Sequence, residues 1–172
     1  MSEIIRLKRI DMLNGKTKPV NFVSCIIEKN VSFGDGAFAW YFTHICTGAK
    51  IGKNTNIGEK SYIGKNVIIG DNVKIGNNVN IYEGAIVKDN VFIGNNVSFT
   101  NVRKPKADAR GRLLDTIIGF GVSIGANSTI VGGIKIGDNS IIADGAVVVG
   151  NVPENAWVNG NPGKVKIRRE ND

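Results

Sequence analysis

An apolar residue, usually isoleucine, returns every six positions along most of the chain. The series Ile27, Phe33, Ala39, Ile45, Ile51, Ile57, Ile63, Ile69, Ile75, Ile81, Val87, Ile93, Phe99 runs without a slip. It breaks there, resumes at Ile118 and continues through Ile124, Ile130, Ile136, Ile142 and Val148. The next position (i+1) is often Gly, as in Gly34, Gly52, Gly58, Gly64, Gly70, Gly76 and Gly94. Position i+3 is often Asn, as in Asn54, Asn66, Asn72, Asn78 and Asn96, and i+4 is small or β-branched. A period of six does not fit the 3.6-residue helix. Positions i+4 and the following i lie two apart, so both side chains point to one face of a short strand. Gly and Asn are expected to supply the left-handed or otherwise costly backbone angles of tight corners. Each hexad is therefore a short strand plus a corner, and three hexads close a triangular coil of eighteen residues. The hexads predict about six coils, stacked at roughly 4.8 Å into an all-β prism roughly 30 Å long.

Residues eighteen apart then stack in columns. The outward i+5 positions predict one column of His44, Tyr62, Asn80 and Ser98, a second of Ser32, Lys50, Ile68 and Ile86, and a third of Phe38, Asn56, Lys74 and Phe92. The first is made of hydrogen-bonding groups and reads as a cleft lining or a solvated face. The other two carry exposed apolar members, which suggests subunit contacts and a homotrimer. The break between Phe99 and Ile118 holds about thirteen extra residues, basic and interrupted by Pro105 and Gly111. It predicts one protruding loop at about residues 102–116, and such loops usually serve binding. Residues 1–22 do not fit the repeat, and their Asn14-Gly15 turn signal predicts a strand or two capping the first coil. The expected organisation is a cap at 1–22, a β-helix at 23–156 and a C-terminal tail at 157–172.

Composition narrows the chemistry. The chain of 172 residues carries 22 Lys and Arg against 15 Asp and Glu, a net charge of +7 that suits anionic ligands. The basic residues lack interleaved aromatics, so no nucleic-acid partner is expected. No apolar run reaches the ~18 residues of a membrane helix, and MSEIIRLKRI has no apolar core, so neither membrane insertion nor a secretory signal is expected. Two cysteines, Cys25 and Cys46, make no disulfide framework, which fits a reducing, cytoplasmic setting. His44 is the single histidine, which weighs against a three-histidine zinc site; no metal is expected. His44 reads either as a general base for an acceptor hydroxyl or as a structural or positioning residue. An amine flanked by electron-withdrawing oxygens needs less help from a base, and proximity and an oxyanion donor would then do most of the catalysis.

The repeat resembles the left-handed parallel β-helix of the hexapeptide-repeat acyltransferases. The left hand is implied by that resemblance alone and runs against the usual right-handed crossover. A non-catalytic β-helix scaffold is the alternative of another class. The runs FAWYFTHICTGAKIG, IGNNVNIY, VSFTNVRKPKA, IGANSTIVGGIKIG and GAVVVGNVPENAWVNGNPGKV are similar to bacterial N-acetyltransferases acting on nucleotide-linked 3-amino sugars. That resemblance implies acetyl transfer from acetyl-CoA to the 3-amino group of a UDP- or dTDP-linked 3-amino-3-deoxyhexose, in surface-polysaccharide precursor synthesis. A 4-amino sugar, or a hydroxyl with His44 as base, is the alternative acceptor.

The resemblance also implies roles for residues. Asn101 matches the asparagine beside the reacting amine, and His44 lies in the matching HIC segment. Asn77, Asn78 and Tyr82 match the segment bordering the same pocket, with Asn80 between them. Arg103 and Lys106 in the loop are candidates for a diphosphate or carboxylate of the acceptor. The family's usual Asn-Pro-Arg at the loop start is Lys104-Pro105-Lys106 here. Small residues Ala126, Gly132, Gly133 and Ala143 are the implied path for the pantetheine arm. Lys164 and Lys166 are the implied partners of the CoA phosphates. Gly132 and Gly133 are expected to break the hexad template.

Overall fold

The computed structural model describes residues 25–107 and 113–167. The expected cap at 1–22 and part of the expected protruding loop, residues 108–112, lie outside the described residues. Nearly every hexad forms a two-residue strand followed by a turn, and the described residues contain no helix. Among the described residues, therefore, no helix is long and apolar enough to cross a membrane.

The strands form three sheets, the faces of a prism. Face 1 has seven strands, including Ile26–Ile27, His44–Ile45, Tyr62–Ile63, Asn80–Ile81, Ser98–Phe99, Thr129–Ile130 and Val147–Val148. Face 2 has six, from Ser32–Phe33 to Lys135–Ile136, and face 3 has eight, from Phe38–Ala39 to Lys164–Ile167. Pairing is parallel with a stride of eighteen, as in His44 with Tyr62 and Tyr62 with Asn80. Across the loop the partners are Ser98 with Thr129 and Phe92 with Ser123. The loop thus adds thirteen residues without disturbing the register on either side. All three outward columns read from the sequence are present. The architecture is a parallel β-helix of about seven turns, consistent with the left-handed form.

The coil number exceeds the expected six because the last turn is completed outside the hexad rhythm. Val152 bridges to Ile136, and Val158 pairs with Ile142, each sixteen residues on rather than eighteen. The strand Ala156–Asn159 therefore extends face 3, and the expected boundary at 156/157 falls inside it. Lys164–Ile167 then folds back antiparallel upon that strand.

The core is the inward column of i and i+4 residues. Ile45, Ile57, Ile63, Ile81, Ile93, Ile118, Ile124, Ile130 and Ile136 have no exposed surface. Hydroxyls at i+4 are also fully buried, and each donates to a backbone carbonyl of the next coil. Thr55 reaches the Gly70 carbonyl at 2.8 Å, Ser61 the Gly76 carbonyl at 3.1 Å and Ser140 the Pro153 carbonyl at 2.7 Å. These bonds remove the desolvation cost a bare hydroxyl would carry in this core.

The two turn residues divide the work differently from the sequence reading. Asn at i+3 does take the left-handed conformation, as at Asn54 (φ 52°) and Asn96 (φ 60°). Gly at i+1 does not. A Cβ on Gly52 would run into the backbone carbonyl of Gly70 in the next coil, so glycine serves close stacking there. Gly133 sits at i+3 with φ 84° and keeps the template in phase, contrary to expectation. Phe42 (φ 62°) and Lys60 (φ 57°) occupy the same corner position without asparagine's local hydrogen bonding.

Candidate active site

The chemistry-bearing side chains gather on the edge where face 1 turns into face 2. Glu28 lies on the first coil, below His44, Cys46 and Thr47 of the second. Glu28 Oε2 accepts from the Thr47 hydroxyl at 2.7 Å and from the Thr47 N–H at 2.9 Å. Its Oε1 lies 3.0 Å from His44 Nε2. These bonds, those from Thr47 first, hold the Glu28 carboxyl down at about 2. His44 meets the Tyr62 ring edge-on at 5.4 Å, and Tyr62 meets Tyr82 at the same distance. The Tyr62 hydroxyl, hydrogen-bonded to Cys46, is pushed up to about 12, with burial adding to that bond. Burial raises the Cys46 thiol as well.

Tyr82 is followed by Glu83, whose carbonyl accepts from Asn101 Nδ2 at 3.1 Å. The Asn101 carbonyl in turn accepts from the Leu114 N–H at 2.9 Å, pinching the base of the protruding loop. Just above, the Gly132 N–H donates to the Thr100 hydroxyl at 2.9 Å. One ridge therefore runs from Glu28 through His44, Tyr62 and Tyr82 to Asn101 and the loop, with half-buried Asn80 beside it. Arg103 and Lys106 stand exposed on the loop.

His44 and Asn101 are not neighbours. Three coil steps separate their levels, roughly 14 Å at the strand spacing, so within one chain they cannot serve one reacting atom. Asn77 and Asn78 lie on a different edge, where face 3 turns into face 1, and both belong to the corner scaffold. Asn77 Oδ1 accepts from the Glu59 N–H at 2.9 Å, and the Asn77 N–H donates to Asn95 Oδ1 at 2.8 Å. Asn78 has φ 56° and donates to Asn96 Oδ1 at 3.0 Å. Similar Asp and Asn ladders join Lys53 to Asp71 and Ala126 to Asp144.

The expected donor residues are divided as well. Ala126 and Ala143 lie on the face 3/face 1 edge, while Gly132 and Gly133 lie on the face 1/face 2 edge, one coil beyond Thr100. Lys164 and Lys166 are exposed on face 3, where Lys166 pairs with Trp157. A groove of about 380 Å³ opens on face 3 between Trp40, Asn56, Lys74 and Phe92. It touches Asn77 and none of the ridge residues, so this groove and the polar ridge are separate features. Glu28, Thr47, Cys46 and Glu83 were not singled out in the sequence. Glu28 and Cys46 carried a signal: both hold the i+1 position, where many hexads have glycine, and they lie one stride apart.

Residues 66–101 and 115–150 match the family described as bacterial transferase hexapeptide (six repeats). Residues 48–83 match the hexapeptide repeat of succinyl-transferase. Together the matches cover more than half of the chain. The chain belongs to the hexapeptide-repeat transferases. Two solved acetyltransferases, from Bacillus cereus and Vibrio cholerae, share the fold. A putative acetyltransferase from Bacillus cereus is 20% identical, with 83% of this chain and 77% of that one covered and a TM-score of 0.58. A hexapeptide-repeat acetyltransferase from Vibrio cholerae, solved with acetyl coenzyme A, is 26% identical over 71% of this chain and 72% of that one, TM-score 0.52. A perosamine N-acetyltransferase from Caulobacter crescentus is 18% identical, TM-score 0.49; 83% of this chain is covered but only 53% of that one. No curated protein matches the chain in sequence. Within this hexapeptide-repeat transferase, the ridge and loop are where the repeat gives way to individual side chains.

Proposed function

We propose that the chain is an acetyl-CoA-dependent N-acetyltransferase whose acceptor is the 3-amino group of a UDP- or dTDP-linked amino sugar. The observation that carries this reading is Asn101 at the foot of the protruding loop. Its Nδ2 is taken by the Glu83 carbonyl, which leaves Oδ1 to accept from an acceptor amine. The neutral amine attacks the thioester carbonyl, forming the C–N bond and an oxyanion. The C–S bond then breaks, and the ammonium proton passes to the departing thiolate. Positioning supplies most of the rate, and no strong base is required. Arg103 and Lys106 flank the entry and suit a diphosphate.

The Vibrio cholerae relative solved with acetyl coenzyme A supports the donor. Small Ala126 and Ala143 on one edge, and Gly132 and Gly133 on another, fit a narrow arm lying between neighbouring prisms. Exposed Ile68 and Ile86 on face 2 and Phe92 on face 3 support a homotrimer that brings those edges together. The product would feed surface-polysaccharide synthesis in the cytoplasm. A second reading, transfer to a hydroxyl with His44 as base, is favoured by the Glu28 carboxylate 3.0 Å from Nε2.

Thiol release from acetyl-CoA, measured against UDP- and dTDP-linked 3-amino, 4-amino and 3-hydroxy sugars, tests the acceptor. Turnover of the 3-amino sugars is expected; turnover of the hydroxy sugar alone would overturn the reading. His44→Ala is expected to keep much of the activity. Near-total loss with donor binding and assembly intact would select the hydroxyl reading instead.

A further inference from the structure

The ridge ends at the first coil in a cluster that acyl transfer at Asn101 does not use. Glu28, His44 and Cys46 present an oxygen, a nitrogen and a sulfur, and these atoms all lie within 4.8 Å of one another. The convergence is on one ring nitrogen. His44 Nε2 is 3.0 Å from Glu28 Oε1 and 3.8 Å from Cys46 Sγ. A tetrahedral ion with bonds of ~2.0 Å to nitrogen and ~2.3 Å to sulfur holds those two atoms roughly 3.5 Å apart, so little movement is needed. The outer groups are also in place. Thr47 grips the second carboxylate oxygen twice, which fixes the direction of the first.

We infer that Glu28, His44 and Cys46 form a three-ligand site for a borderline divalent transition ion of the Zn²⁺ class, which ties the first coil to the second. The donor set decides the class of ion. A thiolate with an imidazole disfavours Mg²⁺ and Ca²⁺, which take oxygen, and favours Zn²⁺ with a fourth position open to water. The placement explains the use: Glu28 belongs to the first coil and His44 and Cys46 to the second. A cross-link there ties together the first two coils of the described solenoid, each of which is held by its neighbours. Binding exchanges the thiol proton for the metal, so affinity rises with pH. The site differs from the three-histidine arrangement that the single histidine excludes.

The test titrates the metal-free full chain with Co²⁺ alone, followed by competition with Zn²⁺, and needs neither donor nor acceptor. The expected result is about one Co²⁺ per chain with a thiolate-to-cobalt charge-transfer band, displaced by Zn²⁺ and lost in Cys46→Ser. Glu28→Gln, whose half-exposed site spares the fold, is expected to weaken binding about tenfold or more. Zn²⁺ is expected to raise the Tm of the native chain and to leave that of Cys46→Ser unmoved. Absence of the charge-transfer band, its survival in Cys46→Ser, or unchanged affinity in Glu28→Gln would each overturn the site.

Discussion

Two edges of the same prism use the hexad in opposite ways. Where face 3 turns into face 1, the middle coils repeat the Gly-Asn-Asn-Val corner at Gly76–Val79 and Gly94–Val97, while Trp40, Phe42 and Lys60 depart from it in earlier coils. Asn77 is locked between Glu59 and Asn95, and Asn78 donates to Asn96, which donates to Asn127 at 3.1 Å. Each of these amides makes part of the stack between coils. Where face 1 turns into face 2, the asparagine ladder is reduced to Asn66 donating to Glu83 Oε1 at 3.3 Å. Glu28, Cys46, Tyr82 and Thr100 replace the glycine at i+1, and the loop leaves the prism between Asn101 and Leu114. The difference shows how a solenoid separates scaffold from chemistry. An asparagine inside a ladder has spent hydrogen bonds on neighbouring coils, whereas under the proposed function Asn101 keeps its side-chain oxygen for the acceptor amine.

That contrast is open to direct attack. Asn101→Ala, on the irregular edge, is expected to lower turnover about a hundredfold through lost positioning, with donor affinity little changed in steady-state kinetics. Unaltered turnover would remove the distinction between the edges. Asn77→Ala, on the regular edge, is expected to cost about 1 kcal/mol by breaking its hydrogen bond, read as a lower urea midpoint, while turnover stays near the native value. A large loss of turnover would return Asn77 to the acceptor pocket. Phe42→Asn restores the usual corner residue at φ 62° and is expected to gain about 1 kcal/mol in urea unfolding.

The smallest effect is in acid. The Glu28 carboxyl lies at about 2 in the folded chain and near ~4.3 when unfolded. A depressed carboxyl stabilises the fold above its unfolded value and loses that contribution as pH falls towards the folded one. The native chain should therefore lose stability between about pH 4.3 and about pH 2. Glu28→Gln should flatten that part of the curve, and a curve of unchanged slope would show that Thr47 and His44 do not hold the carboxylate.

Much of this was legible before any coordinates. The six-residue period exposed the inward column from Ile27 to Val148, and the stride of eighteen put His44, Tyr62, Asn80 and Ser98 on one face. The loop was visible as an excess of about thirteen residues. Other assignments were not legible because they depend on which atoms meet across coils. Asn77 and Asn101 are the same residue type, but the first faces a ladder partner and the second a carbonyl and a loop. Gly52 and Asn54 were given one role, yet glycine clears the carbonyl above it and asparagine takes the left-handed angle. The single histidine weighs against a three-imidazole metal site, and it does not bear on the mixed cluster proposed above, whose donor atoms meet only across coils.

The sequence alone determined that this chain coils in threes, which residues face inward and where the loop leaves, because periodic burial leaves a periodic record. Only the tertiary structure decided that Asn77 bonds into the corner stack and that the donor atoms of Glu28, His44 and Cys46 lie within 4.8 Å of one another. Hydrogen bonds and ligand sets are fixed by distances between coils, and those distances are set by stacking rather than by order along the chain.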